Sequence, residues 1–314
     1  MSVSFDLART LATVVEEGTL DAAARRLHIT PSAVSQRIRA LEDQLGRVVL
    51  VRSKPVRTTE AGDAVVRLAR QLALLEHDAL AAMGAEGGSV ASVPLAVNAD
   101  SLATWFLPPL ARVAARRAVV FDLHRDDQDF TAGLLESGTV MAAVTSRETP
   151  VAGCRVRRLG VLRYEAVATA GFAARWFTSS ADADADAGAD AAPDVDAAVL
   201  VDADALAVAP VVDFDRRDDL QTRWLARRGV AAAAPPRHRV PASQDFATAI
   251  ELGLGWGLLP GFQSAAGLAT GALVRLGDDP VDVPLFWQQW NLTSPLLDEI
   301  ADEIVDEGRR VLAR

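Results

Sequence analysis

The stretch from Thr30 to Gly62 limits the possible folds more than any other part of the chain. Thr30-Pro31 is a strong helix start, with Thr30 as the cap and Pro31 at the first helical position, where a missing N–H does no harm. Ala33, Val34, Ile38, Leu41 and Leu45 lay an apolar stripe along this helix, and Gly46 stops it. Its opposite face shows Ser32, Ser35, Gln36, Arg37 and Arg39, short or donor-rich groups suited to base edges and phosphates. A β-prone run, Val48-Val49-Leu50-Val51, then leads into Arg52-Ser53-Lys54-Pro55-Val56-Arg57-Thr58. That pattern predicts a short hairpin wing with three cations at its tip.

Upstream, Phe5, Leu7, Leu11, Val14 and Val15 recur at helical spacing, and Gly18-Thr19 ends that helix while capping an Ala-rich second one through Leu27. Residues 1–58 therefore read as a winged helix-turn-helix that binds DNA. The net charge of -10 stands against this, yet residues 25–57 hold eight Lys/Arg against Glu42 and Asp43. Phosphate attraction follows this local field, not the chain's sum. Small three-helix units with exposed arginines also exist without nucleic-acid partners; the wing favours the DNA reading. Candidate contacts are Thr30, Ser32, Ser35, Gln36, Arg37, Arg39, Arg52, Lys54 and Arg57.

Thr58 and Thr59 are two adjacent candidate caps for a long helix, expected over 59–84. Ala61, Val65, Leu68, Leu72, Leu75, Ala79 and Ala82 alternate steps of four and three along it. Such a seam suits pairing with a second copy of the chain, or packing on the chain's own C-terminal part. A joint around Gly87-Gly88-Ser89 precedes a new domain, 92–314. There Leu95–Val97, Val119–Leu123, Val140–Val144 and Val161–Ala168 predict strands, with a helix over Leu102–Ala115, as in α/β units around largely parallel sheets. Ser179–Ala192 is an Ala/Asp insert with almost nothing to bury, expected as a disordered loop.

The order and spacing of Ala22-Ala23 to Leu27, Thr30 to Ile38, Leu41-Glu42, Leu45-Gly46, Leu50 to Arg52 and Thr58 to Gly62 resemble the signature of LysR-type transcriptional regulators. Ala96 to Trp105 with Leu107-Pro108, and Pro210 to Asp215 with Asp218-Asp219-Leu220, look like the ArgP/LysG subgroup of that family. The resemblance implies an α/β fold class with an α-rich winged helix-turn-helix and a two-lobed, periplasmic-binding-protein-like effector domain. It places lobe I over about 92–162 and 264–314, and lobe II over about 163–263. It further implies control of genes such as a basic amino-acid exporter in response to lysine or arginine, assembly as a homodimer or dimer of dimers, and contact with RNA polymerase.

Ligands of two-lobed domains bind at strand ends and helix N-termini in the cleft between lobes. Asn98, Asp100 and Ser101 fit that place: Ser101 and backbone N–H groups suit a carboxylate, and Asp100 an ammonium, although Asp100-Ser101 is equally a plain helix cap. Thr145, Asp213, Asp215, Ser243 and Gln244 stand at further strand ends, with Trp105 or Phe214 to flank an apolar stem; each acid is also readable as a solvated surface charge. Leu252 to Pro260 lacks the third glycine of a dinucleotide fingerprint, so close backbone packing explains its glycines. No catalytic motif or metal spacing appears, His28, His77, His124 and His238 are scattered, and no cofactor is expected. A single cysteine, a start without a signal-like apolar run and no span of about 20 apolar residues predict a cytoplasmic protein free of the membrane. The alternatives are a regulator of this type sensing a different metabolite, and a cytosolic solute-binding protein.

Overall fold

The computed structural model describes residues 3–51, 53–84, 90–125, 131–177 and 198–314. The insert at 179–192, Arg52 and most of the glycine joint lie outside the described residues. The chain begins with α1 (Phe5–Glu17), α2 (Leu20–Arg26), α3 (Pro31–Leu45), β1 (Leu50–Val51), β2 (Arg57–Thr58) and α4 (Glu60–Ala82). Next come β3 (Ala91–Val97), α5 (Ala99–Thr104), α6 (Leu107–Ala114), β4 (Val119–Arg125), α7 (Thr131–Glu136), β5 (Ala142–Thr145), β6 (Cys154–Thr169) and α8 (Ala170–Trp176). The last part comprises α9 (Ala203–Val208), β7 (Val211–Asp213), α10 (Leu220–Ala226), β8 (Arg237–Arg239), α11 (Ser243–Glu251), β9 (Gly257–Pro260), α12 (Gly261–Thr270), β10 (Leu273–Arg275), β11 (Val281–Trp290) and α13 (Pro295–Val311).

These elements form two compact units: Met1–Asn98 with Pro108–Arg158 and Phe286–Glu307, and Ala99–Leu107 with Leu159–Leu285 and Gly308–Arg314. The return crossing at Leu285/Phe286 differs from the expected one near residue 264. Leu268 and Leu273 lie in one apolar cluster with Val167, Val212, Phe246 and Ile250, which keeps α12 and β10 in the second unit.

In the first unit, Leu11 and Val14 of α1, Ala23 and Ala24 of α2, Val34, Ile38 and Leu41 of α3, Val49 and Leu50 of the wing, and Val65, Val66 and Ala69 of α4 share one core. The small alanines let α2 approach closely. Thr30 caps α3 as expected and, of the two candidates before α4, Thr59 is the cap; they accept from the Ala33 and Gly62 N–H groups, and Gly46 closes α3 in the left-handed region at φ 64°. The wing pairs antiparallel, Leu50 opposite Thr58 and Val51 opposite Arg57. Helix α4 starts directly on its backbone: a Cβ at Gly62 would collide with the Val49 carbonyl oxygen.

The seam of α4 serves two ends. Val65 is buried with α1, whereas Leu68 and Leu75 stay exposed and Leu72 is half-buried. A different face of the same helix meets the chain's own C-terminal part. There Arg67 donates to the Glu136 carbonyl, the buried Arg70 to the Gly138 and Thr139 carbonyls, and the Ser294 hydroxyl to Asp78. Arg70 also pairs with Glu16 of α1 at 3.5 Å. Burial pulls the Arg70 guanidinium below its ordinary value, and the Glu16 charge opposes that.

Strand β3 pairs parallel with β4 and β5, and the C-terminal half of β11 pairs antiparallel with β5, Phe286 opposite Thr145. In the second unit β6 runs antiparallel to both β9 and β10, and β7 parallel to β8. The sheets are thus mixed, not largely parallel. A strand's apolar run encodes burial, whereas its direction depends on which partner it meets. The helix expected over Leu102–Ala115 is two helices, α5 and α6, interrupted at Trp105-Phe106 ahead of the Pro108-Pro109 pair. The glycine-rich run packs as expected, since a Cβ at Gly255 would lie 2.7 Å from the Pro210 carbonyl oxygen and one at Gly257 2.7 Å from Ile250.

Candidate functional site

On α3, Ser32, Gln36 and Arg39 are exposed and lie four and three residues apart, so they form one open stripe, with Ser35 half-buried beside it. Thr30 is exposed but is committed as the cap, with its hydroxyl 2.9 Å from that of Ser32. Arg37 lies off the stripe: half-buried, it donates from Nη1 to the Thr10 hydroxyl of α1 at 3.3 Å. On the wing, Lys54 and Arg57 are exposed. Among the described residues, none of Arg25, Arg39, Arg47, Lys54 and Arg57 has an ion pair, whereas Arg26 is bound by Glu16 and Glu17. The Glu17 hydrogen bond leads the causes that raise the Arg26 guanidinium above its ordinary value, against burial. The Glu42 carboxylate accepts the Val49 N–H at 3.0 Å and ties α3 to the wing. On α3 and the wing, Arg39, Lys54 and Arg57 are thus uncompensated among the described residues.

The effector candidates separate into committed and available groups. Asp213 is buried and takes both carboxylate oxygens to Arg237 Nη1, at 2.8 and 2.7 Å, so its charge is already cancelled. Asp215 closes the turn after β7, accepting the N–H groups of Arg217 and Asp218. Burial raises its carboxyl, but those N–H groups and the Arg217 charge together hold it below the ordinary value. Trp105 is an interior ring, edge-on to Phe106 with centroids 5.9 Å apart, so it is no exposed wall for an apolar stem. Asn98 and Thr145 are buried in the first unit, where the Thr145 hydroxyl accepts the Arg147 N–H. Ser243 opens α11, and Gln244 beside it is exposed.

Asp100 is different. Its Oδ2 accepts the Tyr164 hydroxyl and its Oδ1 the Ser243 hydroxyl, both at 2.7 Å, and it has no ion pair among the described residues. Ser101 next to it is fully buried with an unpartnered hydroxyl among the described residues. The helix they open, α5, has only six residues, so its dipole adds little to anion binding. No sequence pattern singled out Tyr164 or Gln263. The one available signal was that Tyr164 is the chain's sole tyrosine and, inside a strand, needs a partner for its hydroxyl. No cluster of three or more potential metal ligands occurs among the described residues, and no described helix is long and apolar enough to cross a membrane.

A family model described as "Bacterial regulatory helix-turn-helix protein, lysR family" matches residues 5–63, the span from α1 into α4. The HTH-type transcriptional regulator LysG of Mycobacterium tuberculosis (strain ATCC 25618 / H37Rv) is 43% identical over 295 residues, 94% of this chain and 90% of that protein. The lysine export transcriptional regulatory protein LysG of Corynebacterium efficiens is 42% identical over 301 residues, 96% of each chain. Among solved structures, ArgP from Mycobacterium tuberculosis superposes with a TM-score of 0.78 at 42% identity, covering 98% of both chains. Full-length LysG from Corynebacterium glutamicum with bound effector Arg gives 0.74 at 35% identity, covering 99% of this chain and 100% of that one. The chain belongs to the lysR family of bacterial helix-turn-helix regulators, in the group that holds LysG and ArgP.

Proposed function

We propose that this protein is a transcriptional regulator whose grip on DNA changes when it binds arginine or lysine. The observation that carries the DNA half is the cationic surface of α3 and the wing, where Arg39, Lys54 and Arg57 have no ion pair among the described residues, in a chain of net charge -10. Ser32, Ser35, Gln36 and Arg39 face the major groove, with Thr30 at the end of that stripe. Lys54, Arg57 and Arg52 hold the phosphates beside it. Arg37 steadies α3 on α1 and adds charge nearby. Two copies pair through the open seam of Leu68, Leu72, Leu75, Ala79 and Ala82, setting two recognition helices against a partly palindromic site, as a dimer or a dimer of dimers.

Asp100, flanked by Ser101 and Ser243, takes the cationic end of the effector. Its carboxylate lacks a basic partner in the described chain, and a solved relative at 35% identity holds Arg as its effector. The protein acts in the cytoplasm, without catalysis, on genes for basic amino-acid export and in concert with RNA polymerase. Fluorescence anisotropy with DNA from upstream of the protein's own gene, with and without arginine or lysine, tests the reading. Saturable, salt-sensitive binding whose affinity shifts with either amino acid supports it; no binding to that DNA, or no response to both, defeats it.

A further inference from the structure

We infer that Tyr164, Ser243 and Gln263 are positioning residues that hold Asp100 as an uncancelled carboxylate, shaped to seat the cationic side chain of the effector. The inference rests on the proposed role of Asp100 and extends it to residues on three other segments. Asp100 stands in α5, Tyr164 in β6, Ser243 at the start of α11 and Gln263 in α12, all within the second unit.

Each donor has little freedom. Gln263 Nε2 donates to the Ser243 hydroxyl at 3.2 Å and to its carbonyl at 3.3 Å. With that lone pair taken, the single hydroxyl proton of Ser243 is directed at Asp100 Oδ1. The Tyr164 hydroxyl has one proton too, and it goes to Oδ2. Both oxygens are thereby fixed by neutral groups, each with one acceptor site left, which suits the paired N–H groups of a guanidinium or those of an ammonium.

Three acids of this unit are treated differently. Glu165 is met by Arg275 at 2.9 Å, Asp282 by Arg163 at 2.8 Å and Asp213 by Arg237 at 2.7 Å. Hydroxyls orient a carboxylate without cancelling its charge, so the negative field at Asp100 remains for a ligand. A neutral isostere of the same shape cannot answer it, and selection of charge is the expected consequence.

Calorimetric titration of the full chain with arginine, lysine and citrulline, the neutral isostere of arginine, tests this. For the wild type, arginine and lysine bind and citrulline binds at least about a hundredfold more weakly. Asp100→Asn removes most of that preference. Tyr164→Phe and Ser243→Ala each weaken arginine about tenfold and narrow the arginine-to-citrulline ratio, while Ser243→Thr, which keeps a hydroxyl, restores both. Melting curves identify any variant that fails to fold, and Ser243→Thr against Ser243→Ala then decides. Wild-type affinity and ratio in both Tyr164→Phe and Ser243→Ala, with Asp100→Asn impaired, overturn the positioning roles and leave Asp100 as the seat. Equal losses for arginine and citrulline also overturn them. Unimpaired charge selection in Asp100→Asn overturns the seat itself, and with it the reading on which this rests.

Discussion

The winged module and the second unit handle charge in opposite ways. On α3 and the wing, Arg39, Lys54 and Arg57 face solvent with no ion pair among the described residues. In the second unit, Asp213 and Glu165 are each matched by an arginine, whereas Asp100 is held by hydroxyls. Desolvating a charge is costly, so a fold cancels those it encloses and can leave open those that a partner will cover. A charge left without its counterion therefore points to a binding surface more reliably than residue type does. By that criterion Asp213, attractive as an acid at a strand end, is structural.

The largest expected effect tests that contrast. Asp213→Ala strands the mostly buried Arg237 guanidinium and should cost about 3–5 kcal/mol in urea denaturation. A variant of normal stability that has lost arginine binding would return Asp213 to the ligand site and break the comparison.

On the module side, Gly62→Ala should cost about 1–3 kcal/mol, because its methyl meets a wing carbonyl that cannot withdraw without unseating β1. An unchanged or raised melting temperature, the usual outcome for alanine in a helix, would show that α4 and the wing are not joined there. Arg39→Ala should weaken DNA binding by about 1–3 kcal/mol at the cognate site and relax selectivity, whereas Arg57→Ala should weaken all sequences alike and lower the salt slope by about one. Arg37→Ala should mix a loss of affinity with a loss of module stability, through its bond to Thr10. Identical salt slopes and selectivity in Arg39→Ala and Arg57→Ala would erase the division between stripe and wing.

The smallest effect belongs to paired surface charge. The hydrogen bond from Arg112 leads the causes that hold the Glu303 carboxyl below its ordinary value. A carboxylate depressed in the folded state contributes stability that is present above its ordinary range and lost as pH falls through the depressed value. Glu303→Gln should therefore cost less than about 1 kcal/mol at neutral pH, and the difference from wild type should vanish in acid. A constant difference down to strongly acidic pH would show that packing, not charge, is responsible.

The module was legible because its determinants are near one another in sequence. Caps at Thr30 and Thr59, the stop at Gly46 and the apolar spacing of Val34, Ile38 and Leu41 act within a few turns, so the chain announces its own helices. The stripe on α4 was also readable, but not that Arg67, Arg70 and Asp78 would use another face of the same helix against residues some 70 or more positions away. The candidate ligand site was only half visible. Asp100, Ser101 and Ser243 stood at plausible element ends, while Tyr164 sat in an ordinary strand and Gln263 in an ordinary helix.

Alone, the amino-acid order determined the winged helix-turn-helix, its cationic surface and the α/β character of the C-terminal part, since periodicity, capping and local charge are short-range properties. Tertiary structure decided strand direction, the crossing at Leu285/Phe286, the neutralisation of Asp213 by Arg237 and the exemption of Asp100. Each of these depends on which distant residue arrives within about 3 Å, a distance that hydrogen bonds and ion pairs require and that no local pattern encodes.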